Sequence, residues 1–240
     1  MRKPRSPRSK AKQKLITTAE KLFAEHGFDT ISIRDITSAA KANVAAINYH
    51  FSSREDLVDL VITQNLSPLL AAQESALDSL ASNRSIQPPD CRKLFEISIQ
   101  SIVTNERSSK LPNPLYYRLI GLILQMDWNL LPDAILSRKS ALDRRIIELL
   151  QRTHPEQSHD QCAMRYHFTC GATAHLLTHS QSIFQTIDGA NQTLESHLDT
   201  LIDFATAGFT QTTATTPPRV PQPTSQPTSQ PTSQPTSQPT

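Results

Sequence analysis

The chain has 240 residues, enough for one or two domains, and its 5 glycines, 5% aromatic content and long Leu/Ile/Ala-rich stretches without strand-like alternation predict an all-α protein. Three cysteines at unremarkable spacing, Cys91, Cys162 and Cys170, argue against a disulfide framework; the basic N-terminus lacks the apolar core of a signal peptide, and no run approaches the roughly 18 apolar residues of a membrane helix, so a soluble cytoplasmic protein is expected. The net charge of +2 hides a gradient: residues 1–60 hold 11 Lys and Arg against 7 Asp and Glu, the remainder 13 against 15, and the opening "MRKPRSPRSKAKQK" has seven basic side chains and no acid, which favours a polyanion near the N-terminus.

Residues 1–8 form a basic arm, expected to be disordered. From Ser9 to His26 the apolar residues Leu15, Ile16, Ala19, Leu22 and Phe23 recur at helical spacing, and Gly27 stops the pattern. Ser32 with Asp35 three residues on reads as an N-cap and capping-box partner for a short second helix ending near Ala40. Asn43 is placed to cap a third, Val44 to His50, and Ser53 with Asp56 repeats the cap signature before a fourth that opens at Arg54 and runs past Pro68 towards Leu80. Connections of about three residues force these short helices to pack at steep angles. Further on, Asp90 caps "CRKLFEISIQSIVTNE", "SSKLPNP" breaks the chain before "LYYRLIGLILQMDWNL", and Pro132 suits the start of a seventh helix to about Arg152. The eighth spans roughly Asp160 to Phe184 and the ninth Asn191 to Phe209. Residues 211–240, with "PTSQ" repeated four times, have no apolar periodicity and are expected to form a disordered tail. The predicted organisation is therefore an arm, a small bundle over 9–53, a larger helical domain over 54–210 and the tail.

The third helix holds the functional signal. On a helical wheel Ile47 and Phe51 lie on one side with Val44 near its edge, facing partners in Ile33, Ile36 and the first helix, while Ala45, Ala46 and Tyr49 point away. A major groove about 12 Å wide accepts one helix, and small side chains let it sit deep. Asn48 can bond a base edge or a phosphate, Tyr49 and His50 can donate to phosphate oxygens, and Ala45 and Ala46 can touch a thymine methyl. Arg34 and Arg54 stand at or near helix N-termini, where backbone amides already favour an anion. The arm adds salt-sensitive attraction without sequence preference. Alanine-rich faces also pack against other helices, and an Asn-Tyr-His run is often a solvated helix end; the arm, the three-helix spacing and the charge split tip the reading towards double-stranded DNA.

These residues match a known pattern. "LITTAEKLFAEHGF" with its terminal Gly27, "SIRDI" and "INYHFSSREDL" resemble the DNA-binding domain of TetR-type regulators over residues 15–60. The resemblance implies phosphate contact by Tyr49, His50 and Arg54, and base reading by Val44, Ala45, Ala46 and Asn48. One position departs: the family usually has glycine in the turn, and this chain has Lys41. A non-glycine in a left-handed turn costs roughly 1 kcal/mol.

A three-helix reader has a small footprint, which dimerisation doubles. The eighth and ninth helices are the expected homodimer interface, with Leu194, Leu198, Leu201, Ile202 and Phe209 on the ninth; part of this apolar surface will be ordinary core. "LYYRLIGLILQMDWNL" is the most apolar stretch, and Gly121 within it costs roughly 1 kcal/mol of helix stability, so close packing or an adjoining cavity is expected there. Together with "MRYHFTCGATAHLL" it resembles the fatty-acid- or acyl-CoA-responsive branch of the TetR family, which implies a small apolar effector. His175 and His179 have a chelating i, i+4 spacing, but spacing fixes no third ligand, so neither a metal nor another cofactor is expected. No Gly-rich phosphate loop, nucleophile elbow or paired carboxylates point to an enzyme. The expected function is a ligand-responsive repressor on a palindromic operator. Its rivals are a ligand-independent chromosome-organising protein and an enzyme with an unrecognised site.

Overall fold

The computed structural model describes residues 7–43, 49–82, 90–186 and 193–211. Among them eight α-helices are present and no strand: α1 Pro7–His26, α2 Ile33–Ala39, α3 Arg54–Ser82, α4 Cys91–Glu106, α5 Asn113–Leu124, α6 Asp133–Thr153, α7 His159–Thr186 and α8 Leu194–Thr210. The all-α expectation holds. Most of the predicted third helix, Val44 to Asn48, lies outside the described residues, and only its end, Tyr49 and His50, is seen, in helical conformation. The first six residues of the arm and residues 212–240 of the tail lie outside them too.

Local chemistry sets the boundaries. α1 starts at Pro7, two residues before the predicted start, where proline's fixed φ suits a first helical turn. Asp90 accepts from Arg92 N at the head of α4, and Thr193 accepts from Ser196 N at the head of α8. Pro68 sits inside α3 without ending it. The predicted helix over 115–130 stops short. α5 ends at Leu124, and the Asp127 side chain accepts from Asn129 N to start a single 3-10 turn, Trp128–Leu130. That turn swings Trp128 back over α6, with its ring 4.6 Å from Lys139 Nζ.

Packing centres on α5. It lies against α7 along most of its length and also touches α1, α3 and α4. Its buried side chains include Tyr116, Tyr117, Leu119, Ile120 and Ile123. Gly121 faces α7 so closely that an added Cβ would stand 2.4 Å from Thr178 Oγ1, 2.7 Å from Thr178 N and 2.9 Å from Ala174 O. The close packing expected of this glycine is therefore present. Gln125 Nε2 reinforces it, donating to Ala174 O at 3.0 Å and Thr178 Oγ1 at 2.6 Å. Elsewhere Phe95 of α4 meets Phe209 of α8 at 5.5 Å between ring centroids. Gln157 Nε2 and Arg165 Nη1 donate to the terminal carbonyls of α8, satisfying acceptors that the helix leaves open.

One buried carboxyl lies between α1 and the body. Glu20 accepts from Asn65 Nδ2 at 3.0 Å, and Gln13, Pro68, Asn105 and Lys110 line the same recess. Burial lifts the Glu20 pKa above the usual 4.5, against the lowering effects of Asn65 and Lys110.

Two outcomes follow from this packing. Gly121→Ala should destabilise the protein by about 1–3 kcal/mol, because the atoms it meets include α7 backbone; urea unfolding measures this. Because the folded Glu20 holds its proton more tightly than the unfolded one, its stabilising contribution is complete below about pH 4.5 and is lost as pH rises through the folded value. Glu20→Gln should thus be more stable than wild type at pH 7, with the gap closing in acid, as read from unfolding midpoints at the two pH values.

Candidate nucleic-acid interface

The small bundle around α1 and α2 is built to hold one turn and one short segment in place. Leu15, Ile16, Ala19 and Phe23 of α1 are buried, and Phe23 stacks on Phe28 at 4.7 Å between centroids. Gly27 takes φ 86° and donates to Phe23 O at 2.8 Å, closing α1 in a left-handed cap that a side chain would strain. Ser32 and Asp35 form the predicted reciprocal cap of α2, and these hydrogen bonds hold the Asp35 carboxyl below its ordinary pKa.

α2 ends in paired reverse bonds, Ala42 N to Thr37 O at 2.9 Å and Lys41 N to Ser38 O at 3.0 Å, with Lys41 at φ 50°. This is a Schellman closure with lysine in the place that glycine usually fills. The left-handed turn expected at Lys41 is thus present, and it puts an exposed cation just before the predicted reading segment.

Beyond that segment the side chains diverge. Phe51 is buried with Lys12 Nζ 5.3 Å from its ring centre, whereas Tyr49 is 56% exposed and His50 is half-buried between them. The Tyr49 and His50 rings meet edge-on at 5.0 Å. The next helix is capped as predicted: Asp56 N donates to Ser53 Oγ at 3.1 Å, and Ser52 N donates to the Asp56 carboxylate at 3.0 Å.

Arg54 points into this framework. Its Nε donates to Ile31 O at 2.9 Å and its Nη2 to Phe28 O, so the guanidinium ties the start of α3 to the loop between α1 and α2. Its side chain remains 29% exposed. Arg34 is exposed in the first turn of α2. Four predicted base-reading residues, Val44, Ala45, Ala46 and Asn48, lie outside the described residues. Sequence reasoning did not assign Arg54 its clamp, which joins positions more than twenty residues apart, nor Lys41 a place on the exposed face.

The larger helical part has two further features. α7 keeps a stripe of exposed residues at spacings of three and four, Met164, Phe168, Gly171, His175 and His179, with Phe168 66% exposed. On α8, Phe204 is 70% exposed, whereas Leu198, Ile202 and Phe209 are buried in the chain's own core. The outward face of α8 is thus carried by Phe204, Thr200 and Ala207 rather than by the leucine-rich stripe marked in the sequence, because that stripe packs on α4 and α7. Between α3, α4, α6 and α7 lies a cavity of about 260 Å³ whose walls include Leu66, Leu70, Phe95, Ile99, Trp128 and Tyr166.

The sequence matches two family models, "Bacterial regulatory proteins, tetR family" over residues 15–61 and "Tetracyclin repressor-like, C-terminal domain" over residues 109–208. It is 33% identical over 76 residues to the probable HTH-type transcriptional regulator YttP of Bacillus subtilis (strain 168), covering 32% of this chain and 35% of that protein. It is 27% identical over 115 residues to the HTH-type transcriptional repressor KstR2 of Rhodococcus jostii (strain RHA1), covering 42% of this chain and 56% of that one. The matches therefore span about a third and about half of these curated relatives' own lengths. The fold is similar to that of the ketosteroid transcriptional regulator KstR2 of Mycobacterium tuberculosis, with a TM-score of 0.59 and 17% identity over 86% of this chain and 96% of that one. With one model over the α1–α2 region and a second over the later helices, the chain belongs to the tetR family of bacterial regulatory proteins.

Proposed function

We propose that the protein is a homodimeric repressor of transcription that holds a palindromic operator and releases it on binding a small apolar effector in the cytoplasm. The observation that carries this reading is the outward Tyr49 beside a rigidly capped turn. Phe51 anchors the end of the reading segment in the core, and Tyr49, two residues earlier, projects to solvent. Val44, Ala45, Ala46 and Asn48 then read bases, while Tyr49, His50 and Arg34 contact phosphates. Arg54 contributes through the clamp on Phe28 and Ile31 and offers only its remaining edge to a phosphate. The repressor name of the Rhodococcus jostii relative favours repression over activation, and the names of the matched families favour a regulator over an enzyme. No described helix is long and apolar enough to cross a membrane.

A dimer is supported by the exposed Phe168 and Phe204, large apolar side chains on the last two described helices that the described residues leave uncovered. Paired reading heads fit successive major grooves when they stand roughly 34–36 Å apart. The route from effector to DNA runs through α5, since Leu124 at its end lines the cavity and its body packs on α1. An effector that prefers another head spacing lowers operator affinity by linkage, and operator lowers effector affinity by the same factor. The cavity favours this reading over a ligand-independent DNA organiser. An acyl chain is one apolar body that would suit its walls.

Tyr49→Phe should weaken binding to operator and random DNA alike, whereas Asn48→Ala should also relax base preference, with a loss of about 1–3 kcal/mol per contact confined to one position of each half-site. Competition binding against single-base operator variants checks this, and equal loss on both DNAs for Asn48→Ala would remove its base-reading role. Phe168→Asp with Phe204→Asp should give a monomer in analytical ultracentrifugation with an unchanged helical spectrum. A double variant that stays dimeric would place the interface elsewhere.

A further inference from the structure

The cavity's polar end speaks to the kind of head group that an effector must have. Lys139 and Asp143 are the formally charged side chains among its described lining residues, one turn apart on α6. They are paired, with Lys139 Nζ donating to Asp143 Oδ2, and their side chains are only 13% and 10% exposed. The second carboxylate oxygen accepts from Tyr166 OH at 2.8 Å. Trp128 lies over the ammonium, and His167 is the remaining imidazole at this end, 5.8 Å from the Trp128 ring. Burial raises the Tyr166 phenol well above its usual pKa and pushes the Cys170 thiol up to about 11, so both stay neutral. The opposite wall adds Gln73, whose amide nitrogen is already spent on Ser98 O and Ser101 Oγ.

The charges of this end therefore cancel before any ligand arrives. A carboxylate entering here would lose its hydration and find the single lysine already neutralised, leaving one buried negative charge without a partner. An uncharged oxygen meets no such penalty. An ammonium has three donors, and Asp143 and the Trp128 face do not use all of them, so a carbonyl oxygen can accept a charge-assisted hydrogen bond from Lys139. The volume of about 260 Å³ lies just below the range of roughly 300–1,000 Å³ usual for small-molecule sites, too little to enclose a nucleotide-bearing ester.

We infer that the cavity takes a small neutral ligand, an apolar body ending in an ester, ketone or similar uncharged carbonyl seated at Lys139, and discriminates against the free carboxylic acid of the same size. This rests on the reading of the cavity as the effector site.

Trp128 is the single tryptophan of the chain and lines the cavity, so its fluorescence reports occupancy directly. The full-length protein at pH 8 would be titrated with methyl nonanoate and, separately, with decanoate, the anion of its isomer decanoic acid. The ester should bind more than about tenfold more tightly, a difference of about 1.4 kcal/mol. Asp143→Asn, which keeps an acceptor for Tyr166 while freeing the lysine charge, should narrow or reverse that ratio. Equal or tighter decanoate binding by the wild-type protein would overturn the inference, whether or not the variant folds, and so would a Trp128 signal that neither compound moves. Operator retention measured with the ester separates the two readings. Ester-selective binding without operator release leaves the cavity assignment standing and removes its effector role.

Discussion

The contact on which the rest of this structure depends is the approach of α5 to α7 at Gly121. Two helices meet there with Thr178 and the Ala174 carbonyl where a side chain would otherwise stand. Gln125 closes the same contact with two hydrogen bonds. Because α5 is held so tightly on one side, its other sides are free to position α1, which carries the small bundle, and to bring Leu124 to the cavity. A looser contact would separate the cavity and the small bundle mechanically. A close one makes α5 a rigid strut between them, which is what linkage between two distant sites requires physically.

The reading end depends on a different economy. At 7 residues α2 is too short to be stable alone, and the turns around it are secured by named caps: Gly27 behind α1, Ser32 and Asp35 before α2, the Lys41 closure after it, Ser53 and Asp56 before α3. Arg54 then ties α3 back to the loop after α1. The result is that Phe51 turns inward and Tyr49 outward within three residues.

The two ends also differ in how they treat charge. The small bundle spreads its cations on exposed positions such as Arg34 and Lys41. The cavity buries one cation and one anion together and cancels them. Exposed cations can attract a polyanion at long range, whereas a buried ion pair has no net charge to offer a ligand.

Much of this was legible from residue order alone. The caps and the glycine stop after α1 depend on neighbours within four residues, so the sequence contains them directly, whereas the left-handed turn at Lys41 was marked by the family resemblance. Local order also marked Gly121 as a position of close approach, because glycine in an apolar helix has no other local use. Tertiary structure decided what sequence distance conceals. The i, i+4 pair Lys139 and Asp143 reads locally as a solvated helix face, and only the fold of Trp128 and Tyr166 over it makes it a buried pair. Residue order marks Arg54 as a candidate phosphate contact but does not show that it also donates to the carbonyls of Phe28 and Ile31. The leucines of α8 likewise read as an outward seam, but α4 and α7 reach them first and leave Phe204 outside. A side chain's partners are local only when the backbone bond that it makes is local; every other contact waits on which helices come to lie side by side.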